Sequence, residues 1–214
     1  SYNCQLMGYQ KMLKDGFKMG NVDITPPKSI RTSCTILTQI MAQVASASFG
    51  GLTANQIDVG MEPYVKMSWK KHFSDADKYN IPDKKGYADQ QTEKEVYDAF
   101  QTVEYQINTL STTNGQSPFS TLGFGLGTSW EARLVQKAIL NVRIKGIGKK
   151  GKTPTFPKLC FALKDGLNLK PEDPNYDIKQ LALECQRKRI YPDMLNYEQV
   201  VKVTGAFKAP MGRR

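Results

Sequence analysis

Histidine occurs once in this chain, at position 72, and that scarcity narrows the chemistry at once. Any Ser-His-Asp arrangement would have to be built on His72. Its setting in "SWKKHF", late in a helical stretch, reads instead as a surface position. Cysteine is sparse too. Cys4, Cys34, Cys160 and Cys185 stand far apart with no C-x-x-C pair, so neither a zinc site nor a redox dithiol is legible. Reduced thiols in a cytoplasmic protein are the expectation. No run approaches the roughly 18 apolar residues of a helical membrane span, and no signal peptide is expected. The sequence opens on Ser1 in the ordered-looking "SYNCQLMGY", so we expect an excised piece of a longer protein.

What is present fits a soluble globular protein of one large or two small domains: 214 residues, 40% hydrophobic and 23% charged. Thirty basic against twenty acidic residues give a net charge of +10. That balance suits polyanionic partners such as nucleotides, or is a solvated basic surface; charge alone leaves both open. No RNA-binding aromatic signature and no helix-turn-helix pattern accompany the lysines, which argues against nucleic acid.

The stretch "GIGKKGKT", Gly146 to Thr153, fits the phosphate-cradling loop G-x-x-x-x-G-K-[ST] letter for letter. That loop works only with a buried strand entering and a helix leaving. Here Leu134, Val135, Ala138, Ile139 and Val142 repeat upstream at helical spacing, and Pro154 and Pro157 stand where the helix should run. The pattern reads as a basic connection from a helix to a strand.

Elsewhere, Ile36, Leu37, Ile40, Met41, Val44 and Ala45 share one face of a helix predicted over Thr35 to Phe49, stopped by Gly50-Gly51. A second helix is predicted from near Met61 with Pro63 in its first turn. A third is announced by Thr92 and Glu95 in capping-box spacing, followed by Val96, Phe100, Val103, Ile107 and Leu110. Then the texture changes. In "PFSTLGFGL", Leu122, Phe124 and Leu126 alternate with Gly123, Gly125 and Gly127, as in a strand whose backbone something approaches closely. A helix over Thr128 to Ile144, a strand in "TFPKLCFAL" and a helix in "NYDIKQLALECQRKRI" follow. Strand, helix, strand, helix is an α/β signal with a parallel sheet.

Blocks along the whole chain carry a resemblance: "YNC", "GFKMGN", "PPKSI", "QIMAQVASASFGG", "EKEVYDAFQTVEYQINTL", "NGQSPF", "KAILNVRIKG", "FPKL", "DPNYDIKQLALEC" and the closing "PMG". Together they resemble the catalytic subunit of the anaerobic, glycyl radical ribonucleoside-triphosphate reductases. The resemblance implies an α/β fold, half of a ten-stranded α/β barrel of the glycyl radical enzyme type, as a single partial domain. Residues 1–112 would be its mainly helical effector and dimer portion, and residues 113–214 its strand-helix barrel portion, with a loop rising through the barrel.

The same resemblance implies reduction of ribonucleoside triphosphates to deoxyribonucleotides by thiyl and glycyl radical chemistry, with formate as reductant. Cys4 matches the second active-site cysteine; taken alone it would read as an inert buried thiol. Where the family has Met-Gly-Cys-Arg, this chain runs from Gly212 directly to Arg213, so the radical cysteine is absent and the chain alone is expected to be inactive. The radical glycine and a zinc-binding cysteine set would lie in a C-terminal region beyond these residues. Lys28, Gln39 and Lys71 match the polar residues of an effector site for ATP or deoxynucleotides at a homodimer interface. An iron–sulfur, S-adenosylmethionine activating enzyme is the implied partner, with no membrane association. The rival reading is a non-catalytic nucleotide-binding and dimerisation module.

Overall fold

The computed structural model describes residues 5–47, 50–110, 115 and 117–210, with the side chain of Gln5 left out. Its framework is a five-stranded parallel sheet. The strands are β1 (Gln5–Leu6), β4 (Leu52–Ala54), β5 (Ser120–Phe124), β6 (Lys158–Leu163) and β7 (Asp193–Asn196), and they lie side by side in that order. Helices fill the connections: α1 (Tyr9–Asp15), α2 (Ile30–Ala47), α3 (Ile57–Lys78), α4 (Lys84–Thr109), α5 (Trp130–Lys145) and α6 (Tyr176–Arg189), with α7 (Tyr197–Thr204) after the last strand. A short antiparallel hairpin, β2 (Phe17–Met19) with β3 (Val22–Ile24), interrupts the first crossover. Parallel strands laid down in chain order with right-handed crossovers put their helices on one face, the winding of a barrel wall. The five strands are the half expected of the ten-stranded type.

The main core lies between that helical layer and the sheet. Leu52, Leu122, Phe124, Leu159 and Phe161 meet Leu37, Ile40, Val65, Phe100, Val103 and Ile139, all buried. Burial of one such side chain contributes about 1.5–3 kcal/mol.

Helix boundaries depart from the sequence expectations for identifiable reasons. The Ser29 hydroxyl accepts the Thr32 N–H and starts α2 well before Thr35; the predicted end at Phe49 lies outside the described residues. Helix α3 begins at Ile57, so Pro63 falls inside the helix rather than in its first turn. Its side is exposed, and the lost backbone bond falls toward solvent. Helix α4 is capped by Asp83, which accepts the Gly86 N–H at 2.9 Å. Thr92 and Glu95 therefore form no capping box. Thr92 is buried in mid-helix, and Glu95 serves a different partner, described below.

The Gly146–Thr153 segment is a tight turn from α5 into the approach to β6, closed by an antiparallel bridge between Ile147 and Lys152. Gly146 has φ +77° and lies so close to Gly151 that a Cβ would stand 2.6 Å from its carbonyl oxygen. Arg189 pins the turn by donating to the carbonyls of Ile144 and Gly151 and to Thr153 Oγ1. A helix enters and an extended strand leaves, the reverse of a phosphate loop.

Candidate functional site

Parallel α/β sheets present their sites at the carboxyl ends of the strands and, in barrels, on the inner face. Residues alternate across a strand, so Leu122 and Phe124 face the helices while Thr121 and Gly123 face inward. The register Thr53 to Thr121 and Gly123 to Cys160 carries that inner face across β4, β5 and β6. The chain itself covers it. Asn55 Nδ2 donates to the Phe207 carbonyl at 2.9 Å, and Thr53 Oγ1 donates to the Pro210 carbonyl at 3.1 Å. Between them, a Cβ on Gly123 would come within 2.9 Å of Ala209 Cβ and 2.7 Å of Asn55 Oδ1. The close approach expected at the β5 glycines is therefore made by residues 207–210, which lead directly to the Gly212–Arg213 junction. Phe207 and Ala209 are buried by this docking, and the Phe207 ring stacks on Tyr197 at the start of α7.

At the carboxyl end of β5 the backbone is held by a buried carboxylate. Asp58, in the first turn of α3, accepts the N–H of Gly127 at 2.9 Å and of Gly125 at 3.1 Å, and Gln136 Nε2 donates to the same oxygen at 2.7 Å. Burial pushes the Asp58 carboxyl above the ordinary range, while those backbone bonds pull the other way. Gly127 is required: a Cβ there would meet Ala132 Cβ at 2.3 Å. The loop so fixed delivers Ser129, which caps α5 by accepting the Ala132 N–H and donates to Glu62.

A second region lies on the helical face. A groove of about 440 Å³ opens between the start of α2 and the sides of α3 and α4, lined by Ser29, Arg31, Thr32, Lys71, Lys94 and Glu95 among others. Lys71 is exposed there. Lys28 is exposed in the residue preceding Ser29. Gln39 is exposed farther along α2, on the face that carries Thr32 and Thr35, and does not line the groove. The structure thus brings Lys71 to the groove, while Lys28 is not among its lining residues and only precedes Ser29 in the chain, and Gln39 stands about 10 Å along the helix, at roughly 1.5 Å per residue.

His72 and Glu95, expected as a surface position and a helix cap, line the same groove in other roles. His72, expected at the surface, is mostly buried, its Nε2 lying 2.6 Å from Glu95 Oε2. Glu95 Oε1 accepts from Ser68 Oγ at 3.1 Å, and Ser68 Oγ accepts the Ile30 N–H at 3.0 Å. The chain His72, Glu95, Ser68 ties α3 and α4 to the first turn of α2. No single periodicity announces such a relay, because Ser68 and His72 lie one turn apart on α3 while Glu95 comes from α4.

Cys4, expected as an active-site thiol, lies outside the described residues, as do Met211 to Arg214. Cys34 and Cys185 are buried. Burial pushes both thiols up, Cys185 to about 12, so neither is a ready nucleophile. Among the described residues no group of three or more His, Cys, Asp or Glu side chains forms a metal site, and no helix is long and apolar enough to cross a membrane.

Comparison with known proteins gives these observations a frame. The family model for anaerobic ribonucleoside-triphosphate reductase matches residues 1–214. The Haemophilus influenzae anaerobic ribonucleoside-triphosphate reductase is 61% identical over 213 residues, which are 100% of this chain and 30% of that protein. The Escherichia coli protein of the same name is also 61% identical over 213 residues. That of Enterobacteria phage T4 is 51% identical over 214 residues, 35% of its length. The chain therefore spans about a third of the curated relatives it matches. The crystal structure of the Thermotoga maritima anaerobic ribonucleotide reductase with citrate in the active site superposes with a TM-score of 0.56 at 16% identity, covering 84% of this chain and 32% of that one. The same enzyme with dATP bound in the specificity site gives 0.53 at 17% identity, covering 84% and 30%. At such identity the likeness speaks to the fold, and the fold agrees. On the match of its whole length, the chain belongs to the anaerobic ribonucleoside-triphosphate reductase family.

Proposed function

We propose that these residues form the N-terminal half-barrel and effector portion of an enzyme that reduces ribonucleoside triphosphates to deoxyribonucleotides. The observation that carries this reading is the docking of residues 207–210 on the inner face of a five-stranded parallel sheet in a chain of this family. The protein matrix would supply position and exclusion: Thr53, Asn55 and Gly123 hold residues 207–210 against the inner face, where a packed surface would keep water from the reacting centre. Cys4 is the second active-site thiol in this reading. The glycyl radical, formate and the C-terminal zinc belong to the complete enzyme. In that enzyme a thiyl radical, formed by way of the glycyl radical, would take a hydrogen atom from the ribose, and formate would supply reducing equivalents.

The groove beside Lys71 supports an effector role on the helical face. An ammonium neutralises phosphate charge, and the side-chain amide of Gln39 suits a base edge. Lys28, Gln39 and Lys71 would then serve ATP or a deoxynucleotide in a cytoplasmic homodimer activated by an iron–sulfur, S-adenosylmethionine enzyme. The neighbouring structure with dATP in its specificity site supports this assignment.

The test is an anaerobic assay of the complete protein with its activating enzyme, formate and a ribonucleoside triphosphate. Turnover that Cys4→Ser abolishes, with effector binding retained, is the expected result. Nucleotide binding without turnover in the complete protein would leave only the binding-module reading.

A further inference from the structure

We propose that a second groove, walled by α3, the start of α4 and the first turn of α5, is a binding site for a nucleoside phosphate. It has a volume of about 410 Å³, within the roughly 300–1,000 Å³ typical of small-ligand sites. Its body is aromatic and its rim is cationic. Trp69 forms one wall and is fixed before anything binds. Its ring stacks on Phe73 with centroids 5.1 Å apart and planes 21° apart, and its indole N–H donates to Asp89 at 2.7 Å. Trp130, the first residue of α5, lines the groove and is 41% exposed. A heteroaromatic base stacks on such surfaces whatever its identity.

The rim selects charge. Lys66 and Lys70 lie one turn apart on α3, both exposed, and neither forms an ion pair among the described residues. Lys85 is held by Asp89 at 2.6 Å, which also spends that carboxylate. Three lysines against Asp89 and Glu131 leave the groove net positive. An anion without a ring would waste the aromatic wall, and an apolar ligand would strand the ammonium groups. A flat base carrying phosphate satisfies both, and Glu131 adds an acceptor for a base amino group.

This site is separate from the Lys71 groove. Successive helical residues point about 100° apart, so Lys70 opens to one groove and Lys71 to the other, with α3 as the partition. The inference does not rest on the reductase reading.

The experiment is photolabelling of the complete protein with 8-azido-ATP, followed by mass spectrometry of the labelled peptides. Label on peptides containing Trp69 or Trp130 is expected, with protection by excess ATP and little by adenosine or tripolyphosphate. The double variant Lys66→Ala, Lys70→Ala should lose at least tenfold of that label. Lys71→Ala should leave it unchanged. Absence of label there, label indifferent to the double variant, label lost with Lys71→Ala, or equal protection by tripolyphosphate would each overturn the proposal.

Discussion

Arg143 donates from Nε to Glu104 Oε1 at 2.8 Å, with the arginine side chain wholly out of water and the glutamate nearly so. The pair joins α5 to α4, and a second guanidinium nitrogen reaches the Pro157 carbonyl. Burial pushes the Glu104 carboxyl up, and Arg143 pulls it back. Removing one partner strands the other charge, a loss of about 3–5 kcal/mol. Glu104→Ala should therefore lower unfolding free energy by that order in urea titration. Replacing both residues, Glu104→Leu with Arg143→Met, should cost less than the single change. A single variant within about 1 kcal/mol of the parent would show that the pair is not holding these helices.

Asp58 gives the stability a pH signature. Its carboxyl is raised above the ordinary aspartate value, chiefly by burial. The folded state therefore holds a proton that the unfolded state releases. The associated stability is fully present below about pH 3.8 and is lost as pH rises through the folded value. Asp58→Asn keeps an oxygen for Gly125 and Gly127 and cannot titrate. The stability of the parent relative to Asp58→Asn should fall as pH rises from acid to neutral. A flat difference across that range in parallel denaturation series would contradict the assignment.

Gly123→Ala tests the docked segment. The added methyl meets Asn55 Oδ1 at 2.7 Å and Ala209 Cβ at 2.9 Å, so one or both must move. Overpacking of this kind costs about 1–3 kcal/mol. Displacement of residues 207–210 should speed proteolysis between Gly205 and Pro210 and reduce turnover of the complete enzyme at least tenfold. Unaltered turnover would mean that the contact does not position the reacting loop.

Lys71→Ala should weaken deoxynucleotide binding to the complete protein about tenfold, since hydrogen bonds to charged groups contribute about 1.5–3 kcal/mol. Lys71→Arg should lose less. Isothermal titration with dATP distinguishes the two, and equal affinity in all three proteins would remove Lys71 from the effector site.

The strand-helix portion was legible because Leu122, Phe124 and the α5 stripe from Leu134 to Val142 repeat at clear periods. The two- and three-residue strands β1 and β4 were not, since so few residues carry no period. They nevertheless place part of the "helical" first half inside the sheet. The start of α4 was missed because Lys84 to Gln91 buries only Ala88, leaving no apolar stripe to follow. Thr92 and Glu95 then mimicked a cap while pointing sideways. Of the sites, the closeness at Gly123 could be anticipated from glycine in a strand, but its partner is Ala209, and no local pattern reports a contact so distant in sequence. The His72, Glu95 and Ser68 chain was hidden for the same reason.

The separation along the chain of the inner-face contacts has a consequence for synthesis. Thr53 and Asn55 bond to carbonyls 157 and 152 residues later. Each parallel strand, by contrast, pairs with the strand just before it in the sheet's order. A chain leaving the ribosome can therefore zip its wall strand by strand, helices already packed, while Thr53, Asn55 and Gly123 still face an open trough. Long-range closure comes last. Residues 207–210 are fitted only after the surface that will grip them has been made rigid.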